Sequence, residues 1–303
     1  MSPAVAQSLP ILCLMAGGFL LKQAGLIRPS DGQVLSRLII NTTLPAVIFL
    51  SVARANVAPA SLAILAGCGL SVALVQRLVA GQVARWFKFD RAVAGVVILG
   101  TMIVNVGFFL FPIFLAVYGQ EGLSRLAAFD VGNSLSATGY GYYLATRFGE
   151  NPPSGPWRSL QRILTLPILW AAVVGLGLNL ARLSLPSFAI KILEPLGAAN
   201  TPLAMVTLGS FLQLRFRNWK PLVVAVALRM GLGLALGQGL VALAQLQGLE
   251  RAAVALGAAM PSGMAVLVYA AAEGLDTELA AGVVSLGLTA GMFLTPVLLS
   301  VYG

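Results

Sequence analysis

One long apolar stretch, residues 99–118, carries Asn105, Gly107 and Pro112 in its interior. Proline lacks a backbone N–H and clashes with the preceding helical turn, so a helix through this stretch is expected to break. A break frees backbone carbonyls that can face a cation, and the helix that restarts presents a partly positive N-terminus to an anion. We predict an interruption here that binds substrate. The alternative is an ordinary proline kink packed against neighbouring helices.

A second apolar stretch, residues 256–269, repeats the pattern with Pro261, Ser262 and Gly263 in its interior. At membrane depth, irregular backbone survives only where it is buried in protein or lines a cavity. Interruptions at corresponding places in two halves of a chain are typical of transporter binding sites. We expect the two interruptions to cross beside one substrate, with the Ser262 hydroxyl bonded to a freed carbonyl or to a substrate carboxylate.

Asp130 is the one acidic residue predicted to lie deep inside an apolar segment, and Asn133 follows three residues later on the same helix face. A carboxylate at the bilayer centre costs about 2.5–3.5 kcal/mol on insertion scales. We identify Asp130 as a candidate proton carrier for ion coupling, with Asn133 in the same polar cluster. The alternative is a structural acid, neutral or paired, that ties its helix to an interruption.

Arg229 is a basic residue inside a later apolar segment. It is a possible charge partner, either for the substrate or for Asp130. Alternatively, its long apolar stem allows the guanidinium to reach the membrane surface.

Two other apolar segments are punctuated by polar residues next to proline. The candidates for lining the substrate cavity there are Asn41, Thr43, Asn200 and Thr201. The alternative is a purely structural role, because polar side chains between transmembrane helices often only hold them together.

The composition indicates an integral membrane protein. The chain is 58% hydrophobic and 10% charged, whereas soluble domains carry about 25% charged residues. It contains no histidine, which excludes His-based zinc sites and Ser-His or Cys-His catalysis. No Gly-Lys pair is present for a phosphate-binding Walker loop. We expect neither an enzyme nor a bound cofactor or metal. The net charge of +9 sits mainly in short loops, so we expect no nucleic-acid partner.

The hydrophobic pattern predicts an all-α membrane protein with ten transmembrane helices. The predicted spans are 5–22, 33–53, 59–82, 92–118, 122–146, 160–180, 188–212, 221–245, 250–272 and 276–302. A proline-rich linker, 149–158, separates residues 1–148 from residues 159–303, with five spans in each. Because five is odd, a duplicated unit inserts with opposite topology, and short echoes such as Glu121-Gly122-Leu123 and Glu273-Gly274-Leu275 support this. We predict two inverted five-helix repeats.

The basic residues predict the orientation, because Lys and Arg concentrate in short cytoplasmic loops. Thirteen of them fall in the loops of one side and five in those of the other, with Arg229 not counted. The bias places both termini outside the cytoplasm and the 149–158 linker inside, in a multi-pass protein of the cytoplasmic membrane.

Five stretches, in order along the chain, carry a family resemblance. They are GFLLKQAGLIRPSDGQVLSRLIINTTLPAVIF (18–49), NVGFFLFP (105–112), AAFDVGN (127–133), LGAANTPLAMVTLGSFL (196–212) and AMPSGMAVLVYAAAEG (259–274). On these stretches the chain resembles the auxin efflux carrier family, whose bacterial members include presumed malonate and malate transporters.

The resemblance implies a fold similar to that of bile-acid sodium symporters, in which helices 4 and 9 are broken and cross beside the substrate. It implies that Asn105 contacts substrate. Helices 3–5 and 8–10 would form the transport domain, and helices 1, 2, 6 and 7 a scaffold that also mediates a homodimer. The long cytoplasmic insert of plant members is replaced here by the 149–158 linker.

Together these features predict a secondary transporter that moves a small organic anion across the lipid bilayer by alternating access, with H⁺ coupling or potential-driven efflux. The first alternative is a sodium-coupled organic-anion symporter of the bile-acid type, with Na⁺ held by carbonyls of the broken helices. A membrane enzyme or a sensor is the second alternative, although no catalytic constellation and no soluble domain supports it.

Overall fold

A computed structural model of the chain describes residues 3–55, 58–150, 167–213 and 216–302, together with residues 157, 161, 164 and 165. In these residues the regular structure is helical, with one isolated antiparallel β-bridge and no strand. The predicted linker 149–158 lies mostly outside the described residues.

The N-terminal half contains seven α-helices in the described residues. They are α1 (Pro3–Gln23), α2 (Pro29–Leu38), α3 (Leu44–Ala53), α4 (Pro59–Trp86), α5 (Arg91–Met102), α6 (Phe111–Leu135) and α7 (Tyr142–Phe148). Single π-helical turns lie at Ile39–Thr43, Val106–Leu110 and Ser136–Gly141. Helix α6 turns sharply at Gly119, whose φ is 62°, a left-handed value that only glycine adopts without strain.

The C-terminal half contains seven further α-helices in the described residues. They are α8 (Pro167–Leu180), α9 (Ser187–Phe211), α10 (Trp219–Ala227), α11 (Gly233–Leu243), α12 (Gly248–Ala259), α13 (Ala265–Glu273) and α14 (Thr277–Tyr302). A π-helical turn, Leu228–Leu232, joins α10 to α11.

Six helical stretches among the described residues are long and apolar enough to cross a bilayer. They are Pro3–Gln23, Ser30–Ala53, Ala60–Trp86, Val106–Phe148, Trp219–Leu243 and Thr277–Tyr302. Two shorter apolar helices are Arg91–Met102 and Pro167–Leu180. The prediction of an all-helical, multi-pass membrane protein is confirmed, since about 20 apolar residues suffice to span the hydrocarbon core. The arrangement of ten spans in two inverted repeats stays a prediction.

Glycines bring two pairs of helices into backbone contact. A Cβ on Gly69 of α4 would lie 2.0 Å from the carbonyl oxygen of Phe129 on α6, and one on Gly132 of α6 would lie 1.9 Å from that of Ala66. Small residues allow such close approach, and dispersion contacts then hold the helices together where lipid supplies no hydrophobic drive. Gly18 and Gly209 allow a similar close backbone contact between α1 and α9.

We expect Gly69→Ala to lower the free energy of unfolding by about 1–3 kcal/mol, because overpacking forces the two backbones apart. Gly67 is the matched control on the same helix, since a Cβ there meets no atom within 4 Å. Thermal melting of the two purified variants in detergent tests this. Equal melting temperatures for Gly67→Ala and Gly69→Ala would show that this contact does not stabilise the fold.

Candidate functional site

Two helices end in the interior of the molecule and resume after a short extended segment. Helix α5 ends at Met102, and Ile103 (φ −94°, ψ 115°) has left the helical conformation. Helix α12 ends at Ala259, and Met260 (φ −74°, ψ 161°) is likewise extended. Two β-branched residues, Ile103 and Val104, occupy the first interruption and favour an extended backbone.

The two extended segments pair with each other. A single antiparallel bridge links Val104 to Ser262. The backbone N–H of Asn105 donates to the carbonyl of Pro261 at 2.9 Å, and the N–H of Gly263 donates to the carbonyl of Ile103 at 2.9 Å. Each interruption therefore hydrogen-bonds part of the backbone that the other one leaves unpaired, as buried N–H and C=O groups require. We call this pair of segments, Ile103–Asn105 and Met260–Gly263, the crossing.

Gly263 is required by this close approach. A Cβ on Gly263 would lie 2.9 Å from the side chain of Ile103 and 3.0 Å from the carbonyl oxygen of Val104. Pro261 packs on α14, where Cβ atoms on Gly287 and Gly291 would lie 3.3 Å and 3.2 Å from its ring.

Asn133 completes the hydrogen bonding of the first segment from its other edge. Its Oδ1 accepts from the N–H of Val104 at 3.3 Å, and its Nδ2 makes a longer contact of 3.5 Å with the carbonyl of Val104. The carboxamide thus takes the place of a neighbouring strand. The same Nδ2 donates to Oδ1 of Asp130 at 2.8 Å. Asp130 is therefore connected to the crossing through a single side chain.

Asp130 is buried on α6 and has one further polar contact, from the Ser134 hydroxyl at 3.4 Å. A cavity of about 20 Å³ lies beside it, with Ser134 on the same wall and Ile48 of α3 and Ala172 of α8 opposite. One water molecule needs roughly 10–15 Å³ of such volume. The carboxyl group therefore lies between α6 and the α3–α8 pair, next to space for one water.

Ser262 donates its hydroxyl to the carbonyl of Gly100 at 2.6 Å and is fully buried. The Ser262 hydroxyl was expected to bond either a freed carbonyl or a substrate carboxylate. In the structure it bonds a freed carbonyl. The hydroxyl proton is used in holding the two broken helices together.

Asn105 stands where the first interruption ends, before the π-helical turn Val106–Leu110. Its side chain is 3% exposed, and its Nδ2 has no hydrogen-bond partner among the described residues. The Thr101 Oγ1 and the Arg229 Nε are buried and unpartnered in the same way. Such groups each cost about 1–3 kcal/mol when they stay unsatisfied, so a bound ligand or water is the natural partner for them.

The position of the first interruption corrects the expectation that Pro112 causes it. Pro112 lies in the first turn of α6, seven residues after Asn105, where a missing N–H costs little. The helix accommodates it by widening, because the N–H of Phe111 bonds to the carbonyl of Val106 in a π-helical turn. Gly107, on that turn, faces the start of α3, where a Cβ would lie 3.1 Å from the Leu44 side chain.

The polar residues of the α2–α3 and α9 segments divide into a buried pair and outlying members. Thr43 donates to Oδ1 of Asn200 at 3.0 Å, and both side chains are buried. Asn41 is exposed and donates to the carbonyl of Arg37 at 2.7 Å, and its role in lining the substrate cavity stays a prediction. Thr201 is half-buried.

Arg229 is fully buried and forms no ion pair with Asp130 among the described residues. Its guanidinium donates to the carbonyl of Thr101 at 2.9 Å, to the carbonyl of Ala258 and to Oε1 of Gln76. Both the pairing with Asp130 and the reach to the surface are therefore corrected. The guanidinium instead finds carbonyls left free by the two helix ends. The sequence analysis did not identify Gln76 as a partner of Arg229. A glutamine inside the apolar span 59–82 was the signal that could have pointed to it.

Comparison with known proteins finds a matching family and related sequences. The sequence model of a family described as "Membrane transport protein" matches residues 3–152 and 157–299. An "Uncharacterized transporter" of Methanothermobacter thermautotrophicus is 29% identical over 278 residues, covering 89% of each chain. A second one, from Methanocaldococcus jannaschii, is 28% identical over 283 residues, covering 89% of this chain and 90% of its own.

We expect Asn133→Leu to destabilise the protein by about 1–3 kcal/mol, because it leaves the N–H of Val104 buried and unpaired. Leucine has a similar volume, so packing changes little. The melting temperature in detergent measures the effect, with Ser134→Ala as the control, since the Ser134 hydroxyl makes a single long contact within the described residues, 3.4 Å to Asp130. A melting temperature for Asn133→Leu as high as that of the control would show that the carboxamide does not support the interruption.

Proposed function

This chain belongs to the membrane transport protein family, and on that premise we propose that it is a secondary transporter of a small organic anion, with a carboxylate as the bound group. Transport proceeds by alternating access around the crossing. The proposed location is the cytoplasmic membrane, with both termini outside the cytoplasm.

The observation that carries this proposal is the buried Asn105 amide at the crossing, whose Nδ2 lacks a partner among the described residues. This unpaired N–H donor calls for a ligand that carries acceptor oxygens. The helices that resume at Val106 and Ala265 add the partly positive charge of their N-termini. A carboxylate matches this set of donors, as it does at the broken helices of other transporters.

The proposed architecture is ten spans in two inverted repeats. The helices of spans 1, 2, 6 and 7 are the proposed scaffold and homodimer surface, and the packing of α1 on α9 and of α3 on α8 and α9 supports their grouping. The helices of spans 3–5 and 8–10 are the proposed moving domain. The Thr43–Asn200 pair then belongs to the scaffold wall and Asn105 to the moving part of the site.

Coupling is proposed to run through Asp130. Its contact with Asn133, and the contact of Asn133 with Val104, give its charge state a direct effect on one interruption. The membrane potential contributes independently, since each charge moved is worth about 2.3 kcal/mol per 100 mV and an anion is driven outward.

Asn105→Ala tests the site. In proteoliposomes that take up labelled mono- or dicarboxylates, we expect the variant to raise the Kd roughly tenfold or more, since a hydrogen bond to a charged group is lost. Asn41→Ala is the matched control, because that amide is exposed and bonded to the Arg37 carbonyl. Flux of the wild type at the level of empty liposomes for the whole carboxylate panel would refute the proposed function. An unchanged Kd would remove only Asn105 from the site.

Asp130→Asn tests the coupling. We expect it to abolish acceleration of flux by an imposed pH gradient and to preserve counterflow, which needs no net proton movement. Glu121→Gln is the control, an acid with a largely exposed carboxylate on the same helix. Persistence of the pH-gradient effect in Asp130→Asn would assign proton coupling to another group.

A further inference from the structure

We infer that Arg229 is a tethered cation: its guanidinium occupies the place between the two broken helices that a coupling sodium ion would otherwise take. The inference rests on the proposed function only in treating the protein as a carrier. Neither the charge balance at the helix ends nor the thermal stability of the protein depends on transport.

The guanidinium sits between two equivalent helix ends. Thr101 precedes the first extended residue, Ile103, by two positions, and Ala258 precedes Met260 by two positions. Both carbonyls accept hydrogen bonds from Arg229. Half-helix C-terminal ends and unwound carbonyls are the groups that hold Na⁺ in transporters with broken helices. In this protein the same kind of carbonyl is already bonded to a side chain.

The charge balance is complete without a mobile ion. A helix C-terminus carries about half a unit of negative charge, so two of them together approach one unit, which a single guanidinium offsets. Among the described residues Arg229 is in no ion pair. The countercharge therefore comes from backbone dipoles, and an added sodium ion at the same carbonyls would face a like charge at close range.

The arginine is held rigidly in this position. Gln76 accepts from the guanidinium with Oε1 while its Nε2 donates to the backbone carbonyls of Arg229, at 2.9 Å, and Leu228, at 3.3 Å. Gly233 permits the approach of the neighbouring helix, since a Cβ there would lie 2.1 Å from the carbonyl oxygen of Ala258 and 2.8 Å from the guanidinium. Gln76 and the close helix contact therefore position the guanidinium at the two carbonyls.

The two candidate coupling ions are affected differently. A guanidinium fixed at these carbonyls leaves no place for Na⁺, so Na⁺ does not couple through them, while coupling by H⁺ at Asp130 is unaffected.

Thermal melting of purified protein in detergent tests the inference without any substrate. For the wild type we expect the same melting temperature in sodium chloride and in choline chloride at equal ionic strength. Arg229→Ala should melt lower by roughly 10 °C, since the buried charge-assisted bonds are lost. Methylguanidinium chloride should then restore part of that loss relative to choline chloride, and sodium chloride should do so to a smaller extent.

Arg251→Ala is the matched control, an exposed arginine that lies over the ring of Tyr302. It should melt close to the wild type and gain nothing from methylguanidinium. If Arg229→Ala does not yield folded protein, Arg229→Lys takes its place, because an ammonium supplies the charge without bridging both carbonyls. It should melt below the wild type, again with no selective effect of sodium on the wild type.

A selective stabilisation of the wild type by sodium would overturn the inference. So would an Arg229→Ala variant that responds to methylguanidinium no more than Arg251→Ala does, or an Arg229→Lys variant as stable as the wild type. A failure of carboxylate flux in proteoliposomes would refute the proposed function and leave this result unchanged.

Discussion

Every backbone N–H and C=O group at bilayer depth must find a partner within the protein, and the interruptions of two helices make this requirement acute. The bridge between Val104 and Ser262 meets it in part, by letting one interruption hydrogen-bond to the other. Side chains satisfy further groups: Asn133 pairs with Val104, and Ser262 caps the carbonyl of Gly100. The hydrogen bonding of each broken helix therefore depends on the other.

The helix ends at the crossing carry opposite partial charges, negative at the C-termini and positive at the N-termini. The C-terminal ends of α5 and α12 present carbonyls, and the guanidinium of Arg229 binds both. The N-termini of the helices that follow present N–H groups, and the Asn105 amide beside one of them is left unpaired in the described part of the chain. The proposed anion would supply an acceptor for the unpaired Asn105 Nδ2, which the described residues do not.

Asp130 stands at the boundary between the crossing and the neighbouring helices. It reaches Val104 through Asn133, and the small cavity beside it is lined by residues of α3 and α8. Under the proposed function, a carboxyl group in this position links the interruption to the interface between α6 and these helices. A Cβ on Gly107 would lie 3.1 Å from the Leu44 side chain, so the start of α3 also packs closely on the π-helical turn after Asn105.

The sequence by itself determined that the chain is a helical, multi-pass membrane protein and that two of its apolar segments are interrupted, because apolar length and Pro, Gly and Asn within apolar segments are local signals. It also determined that Asn133 and Asp130 share a helix face. It did not determine where the first helix breaks, because a proline at a helix start is harmless and the pairing with Pro261–Gly263 fixes the break at Ile103–Asn105. The bonds of Arg229 to the Thr101 and Ala258 carbonyls and the part of Gln76 were likewise decided by tertiary structure. Each depends on which distant carbonyl or amide a side chain meets, and residues some 150 positions apart in the chain come together only when the helices pack.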